Sequence, residues 1–142
     1  MTRVKWEKMC WNVVFNPLTV LLNDSVAKAL DHDETLSLIT EIVKETMLVA
    51  ERFGVTLPPD TAHTVVRNTQ AVRDIHTSMF DDWKAGRQTE IEYLNGYLVR
   101  HARTFGVAIP VNETLYCLVK ARTARMETTH GPGQDTKPAM NA

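Results

Sequence analysis

Apolar residues return at intervals of three and four along most of the chain, and no segment sustains a two-residue alternation. The pattern therefore predicts helices and no sheet. The first segment carries Val4, Cys10, Trp11, Val14 and Phe15 and then meets Pro17. A residue before proline is biased away from the α region, which predicts a kink or break near Asn16. Leu18 to Leu22 continue the apolar character, and Asn23-Asp24-Ser25 can stop one helix or cap the next. Between Asp33 and Phe53, Leu36, Ile39, Val43, Met47 and Ala50 form a stripe, with Glu41, Lys44, Glu45 and Glu51 placed away from it. Asp33 reads as the N-cap of that helix and Gly54 as its stop. Pro58-Pro59-Asp60 punctuates. A further helix is predicted over 61–76, and a short one from Met79 to Trp83 that Ala85-Gly86-Arg87 breaks.

A helix over 90–104 places Ile91, Leu94, Leu98 and Ala102 on one face. It contains Asn95-Gly96, a hairpin signal in a strand context. In helical register Gly96 instead marks a point where another helix or a ligand approaches the backbone. Gly106 ends that helix, Pro110 follows, and Asn112 caps a last one from Glu113 to about Met126, with Leu115, Leu118 and Val119 inward. The remainder, with Gly131-Pro132-Gly133 and Lys137-Pro138, has no apolar period. The reading is an all-α domain over 1–126, of roughly six or seven helices, and a disordered tail over 127–142.

Composition narrows the class without touching the chemistry. A chain of 142 residues reads as one domain, and 44% hydrophobic with 23% charged residues is ordinary for a soluble globular protein. A net charge of −1 offers no basic field for phosphates, which argues against nucleic acid as a partner. The two cysteines, Cys10 and Cys117, lie far apart with no CxxC spacing, as expected in a reducing cytoplasm. No apolar run approaches the roughly 20 residues that cross a bilayer, and the N-terminus shows no signal-peptide core.

Three places can carry chemistry. Lys8, Asn12 and Asn16 recur every fourth residue and form one polar strip among Met9, Trp11, Val13, Val14 and Phe15. Such a strip is either a half-exposed edge bonded to neighbouring loops or a set of donors for a polar ligand. Glu90 opens a predicted helix, where a carboxylate is favoured by the helix dipole whatever else it does. Ser78 sits at a loop-to-helix junction, as a plain N-cap or as part of an anion site. His32, His63, His76, His101 and His130 show no HxxxH or HExxH spacing, which argues against zinc. Cys10 reads as a small core residue, and Trp6, Trp11 and Trp83 as packing. Gly54, Gly86, Gly96 and Gly106 are isolated, so no glycine-rich loop offers to hold a dinucleotide.

The strings Lys5-Trp6-Glu7-Lys8, Asn12-Val13-Val14-Phe15-Asn16-Pro17-Leu18-Thr19 and Thr89-Glu90-Ile91-Glu92-Tyr93-Leu94-Asn95-Gly96 closely resemble signatures of the ketopantoate reductase (2-dehydropantoate 2-reductase) family. Ser78-Met79-Phe80-Asp81-Asp82-Trp83 is similar to the segment that precedes the last signature, and the resemblance runs from about Trp6 to Lys120 in matching order. It implies the all-α C-terminal domain shared with 6-phosphogluconate dehydrogenase-like reductases. The implied activity is NADPH-dependent reduction of ketopantoate to pantoate, in the cytoplasmic route to pantothenate and coenzyme A. By the same resemblance Lys8 matches the catalytic lysine, a proton donor to the C2 oxygen. Asn12, Asn16 and Ser78 match substrate-binding positions. Glu90 matches an acidic residue at the nicotinamide end that contacts cofactor and helps set the lysine's protonation.

The resemblance also marks two departures. A further substrate-contacting asparagine of the family falls on Val26 in an ungapped reading, with Asn23 nearby but out of register. The N-terminal Rossmann-type NADPH domain of full-length relatives is expected to be absent, so a lone chain would be inactive until such a domain is supplied in cis or trans. A split gene product, an excised piece and a domain kept for another use all fit that expectation. Two other readings stay open beside the reductase: a non-catalytic helical interaction or homodimerisation module, and a reductase of another small 2-oxo acid.

Overall fold

The computed structural model describes residues 1–129, and among them every regular element is helical. Seven α-helices run in order: α1 Arg3–Leu22, α2 Val26–Leu30, α3 Asp33–Arg52, α4 Thr61–Gln70, α5 Ser78–Lys84, α6 Asn95–Phe105 and α7 Pro110–Thr129. A 3₁₀ turn, Ile91–Tyr93, precedes α6. The all-α expectation holds. The tail predicted from residue 127 lies outside the described residues, except that α7 itself continues to Thr129.

Helix α1 is the axis of the fold and touches α2, α3, α4, α5 and α7. Its first half is amphipathic, with Trp6, Met9 and Cys10 inside and Lys5, Glu7 and Lys8 outside. From Val13 to Val20 every residue is buried, as a helix with neighbours on all sides must be. Thr2 caps its start by accepting from the Lys5 N–H, and Asn23 ends it in the left-handed region at φ 54° with its N–H on Thr19 O. Of the kink or break predicted near Asn16, the break does not occur: α1 runs through Pro17 as one helix. Burial holds the Cys10 thiol in its neutral form, its pKa pushed up to about 12 with a smaller contribution from nearby Glu7.

Several predicted boundaries move for tertiary reasons. His32, not Asp33, is the cap residue of α3, and Asp33 joins Glu34 in its first turn. Glu45 is buried rather than turned to solvent, whereas Glu41, Lys44 and Glu51 are exposed. The helix predicted over 61–76 stops at Gln70, because the following turns aim the carbonyls of Arg73 and Ile75 at the N–H groups of Ala27 and Val26. Arg73 also grips both oxygens of Asp31 at 2.5 and 2.7 Å. The single helix predicted over 90–104 is interrupted at Leu94, whose φ −114° and ψ −98° leave helical space between the 3₁₀ turn and α6. Helix α7 begins at Pro110, where a missing N–H costs nothing, so Asn112 lies inside the first turn and is not a cap. Leu115 and Val119 face inward as predicted, but Leu118 is exposed.

Gly96 is the point of close approach that its position predicted. A Cβ built there would lie 2.9 Å from Tyr116 Cε1 on α7 and 3.2 Å from the Ile91 carbonyl oxygen. The Tyr116 ring cannot easily swing away, because its hydroxyl lies 2.9 Å from both oxygens of Glu92. Gly96→Ala is therefore expected to destabilise the chain by about 1–3 kcal/mol, as measured by urea unfolding. A neutral result would mean that α6 and α7 separate freely.

No described helix is long and apolar enough to cross a membrane.

Candidate active site

The polar strip of α1 grades from water to core. Lys8 is exposed, Asn12 is half-buried, and Asn16 is only 4% exposed. No described residue forms a hydrogen bond or ion pair with the Lys8 ammonium, which stands at the open end of the strip. At the closed end the Asn16 amide is fully committed in direction. Its Nδ2 donates to Asn12 O at 3.1 Å, and its Oδ1 accepts from the Met79 N–H at 3.3 Å.

That second bond docks α5 against α1. Thr77, one residue before α5, caps it by accepting from the Phe80 N–H, and its hydroxyl lies 2.7 Å from Thr19 Oγ1. Ser78 is thus the first helical residue and not the cap, with an exposed side chain beside the Asn16–Met79 bond. Asn16 therefore meets the start of α5, where Ser78 stands, at an α1–α5 seam, while Asn12 and Lys8 lie one and two turns before Asn16 on the same α1 strip. Glu90 is not joined to that group: it is exposed, precedes the 3₁₀ turn, and has no hydrogen bond or ion pair to Lys8. Val26 is buried at the start of α2, and Asn23 is exposed, with its Oδ1 accepting from Lys84 Nζ at 3.2 Å.

Residues 1–123 match the family described as ketopantoate reductase PanE/ApbA C terminal. The chain belongs to that family. The 2-dehydropantoate 2-reductase of Shigella flexneri is 36% identical over 123 residues, covering 86% of this chain and 40% of the relative. That of Pyrococcus horikoshii is 30% identical over 118 residues, covering 83% and 39%. The chain thus spans about two-fifths of the length of these curated relatives. Among solved structures, 2-dehydropantoate 2-reductase from Methylococcus capsulatus superimposes with a TM-score of 0.81 at 35% identity, covering 88% of this chain and 43% of that one. D-mandelate dehydrogenase, solved with NADH and anilino(oxo)acetate, gives a TM-score of 0.82 at 26% identity, covering 88% and 53%.

In this ketopantoate reductase C-terminal domain, the residues that hold the strip in place are not among the candidate site residues that the sequence pattern marks. Asn95 donates to the Val13 carbonyl, Asn112 receives from Asn95, and Glu45 receives from Asn112 and from two N–H groups of α7. Thr19 and Thr77 form the hydroxyl pair under the α5 dock. Pro17 is the signal that could have led to Asn95, since its missing N–H obliges some other donor to serve Val13.

A second polar cluster lies on the outer side of α6 and α7. Glu92 accepts from Tyr116, from Arg100 at 3.2 Å and from Lys120 at 2.6 Å. The Lys120 bond holds its carboxyl below the usual range; burial, the next largest effect, opposes it, and the Tyr116 bond and the charges of Lys120 and Arg100 add to the lowering. Its chemistry is that of a clasp around the Gly96 approach. Among the described residues no group of three or more histidine, cysteine or acidic side chains is placed to hold a metal ion.

Proposed function

We propose that this chain is the substrate-side domain of an NADPH-dependent 2-dehydropantoate 2-reductase, reducing ketopantoate to pantoate with Lys8 as proton donor. The observation that carries the reading is the seam itself, with an ammonium, two carboxamides and a hydroxyl on adjoining turns of α1 and α5. Asn16 is held rigidly by its two backbone bonds. Asn12 keeps its side-chain amide available, and Ser78 presents an exposed hydroxyl. A 2-oxo acid offers carboxylate and keto oxygens that need such oriented donors.

In this reading Asn12, Asn16 and Ser78 fix the substrate, while Lys8 at the open end reaches its C2 oxygen. The dinucleotide supplies the hydride when bound. As the carbonyl carbon becomes tetrahedral, Lys8 stabilises the charge growing on the oxygen and gives it a proton from Nζ, leaving a hydroxyl. Glu90, exposed on the turn before Ile91, is the residue of this chain that we assign to the cofactor side. The described residues offer the rest of a dinucleotide no cradle: Gly54, Gly86 and Gly106 are at positive φ as helix stops, and Gly96 is filled against Tyr116. Holding the cofactor is therefore assigned to a Rossmann-type domain in cis or trans. The pathway is pantothenate synthesis, and a buried and an exposed free cysteine suit a reducing cytoplasm.

The likeness to D-mandelate dehydrogenase favours one second reading, a reductase of a different 2-oxo acid on the same seam. The test is oxidation of NADPH after a relative's dinucleotide-binding domain is supplied, fused or co-expressed, with ketopantoate and phenylglyoxylate as competing substrates. Turnover of ketopantoate supports the proposal, and turnover of the aryl acid alone moves the assignment to the second reading. A folded, associated but inactive pair leaves a helical interaction or homodimerisation module.

A further inference from the structure

Proline has no amide hydrogen, so a proline inside a helix leaves the carbonyl four residues earlier without its partner. In α1 that carbonyl belongs to Val13, on the turn between Asn12 and Asn16. Asn95 Nδ2 donates to it at 3.0 Å from the first residue of α6. The same nitrogen gives its other hydrogen to Asn112 Oδ1, also at 3.0 Å.

Asn95 is wholly buried, and two acceptors on one nitrogen permit a single orientation of its amide. A flipped amide would set oxygen against oxygen at both places. Asn112 is oriented in its turn, because its Nδ2 donates to Glu45 Oε1 at 3.0 Å and to Ile42 O at 3.3 Å. A directed chain therefore runs from Glu45 on α3 through Asn112 and Asn95 to the one carbonyl that Pro17 leaves open. Asn95 Oδ1 receives no hydrogen bond from any described residue. The amide forgoes a bond at its oxygen while keeping both at its nitrogen, as expected if donation to Val13 is what the position requires.

We infer that Asn95 is a positioning residue for the α1 strip: its amide stands in for the N–H that Pro17 lacks, and fixes the turn carrying Asn12 and Asn16. It touches neither substrate nor cofactor and acts only through the Val13 carbonyl. Its catalytic consequence rests on the reductase reading, whereas its coupling to Pro17 does not.

The test is a double-mutant cycle on the full chain, joined to the dinucleotide-binding domain for kinetics. Asn95→Leu keeps the side chain's approximate size and removes the donor. Pro17→Ala returns an N–H to position 17, so Val13 regains a partner within its own helix. Asn95→Leu is expected to lower the thermal midpoint by about 5–10 °C when Pro17 is present, and by less than half as much in the Pro17→Ala background. Among folded variants, it should raise KM for the 2-oxo acid about 10-fold or more, with Pro17→Ala restoring KM to about that of Pro17→Ala alone. Additive midpoints, or a folded Asn95→Leu chain with unchanged KM, overturn the inference. If the unaltered chain shows no turnover, the reductase reading has failed, and the unfolding cycle by itself decides whether Asn95 serves Pro17's carbonyl partner, Val13.

Discussion

Replacing Lys8 by alanine is expected to cut turnover of the reconstituted reductase by about 10²–10⁴-fold, the usual contribution of a positioned general acid. The thermal midpoint of the chain should not move. Both halves of that expectation follow from where Lys8 stands. Its side chain is exposed and bonded to no described residue, so the folded state loses no interaction with it. The strip it terminates is otherwise anchored by Asn16, which is buried and bonded at both ends of its amide. Lys8→Arg separates two roles of the ammonium. A guanidinium keeps the positive charge but does not release a proton in this range, so the arginine variant should recover little if proton donation dominates. Recovery to within a few-fold would assign Lys8 to charge stabilisation alone. Unchanged turnover in Lys8→Ala would remove it from the mechanism. The measurement is kcat and KM for ketopantoate, with calorimetry on the same preparations.

The strip was legible before the fold because four-residue spacing on a helix is itself a spatial statement. Lys8, Asn12 and Asn16 share a face in any helix that contains them, and α1 contains them. Gly96 was legible for a similar reason: a glycine inside a helical pattern needs a neighbour to explain it, and Tyr116 is that neighbour. What could not be read were outcomes decided by distant partners. Pro17 should break a lone helix, yet α1 continues, and the Val13 carbonyl that Pro17 leaves vacant is taken over by Asn95, a donor 82 positions from Val13. Likewise the stretch after Gln70 gives up helical bonds to feed the N–H groups of α2. Ser78 looked like a cap, and the neighbouring Thr77 fills that role because only Thr77 reaches Thr19 as well. Glu90 stands before a 3₁₀ turn and not in the first turn of a long helix, because the backbone at Leu94 departs from the helix that its apolar spacing suggested.

Glu45 is the sharpest case of this, and removing it should bring the largest loss of stability of any single change considered. Its neighbours at three before and four after, Ile42 and Val49, are both fully buried, so it stands on the core face of α3. A carboxylate there is tolerable only if donors meet it, and the start of α7 provides them. Val111 N–H donates to Oε2 at 2.9 Å, and Asn112 donates to Oε1 through its backbone at 2.8 Å and its side chain at 3.0 Å. These backbone groups belong to the first helical turn, where no carbonyl of the same helix can reach them, and the helix dipole favours negative charge at that end. Glu45→Ala leaves both backbone donors without an acceptor and also removes one of the two bonds of the Asn112 Nδ2, leaving that amide held by Ile42 O and Asn95 alone. At about 1–3 kcal/mol for each buried donor left unpaired, the expected loss is about 3–5 kcal/mol in urea unfolding. Glu45→Gln should fall between, since one oxygen still accepts while the new amide group points hydrogens at a donor. A loss below about 1 kcal/mol for the alanine variant would mean that water replaces the carboxylate without penalty. The larger loss should also reach α1, with faster amide exchange on the turn from Asn12 to Asn16, because Asn112 and Asn95 relay the orientation of Glu45 to the Val13 carbonyl.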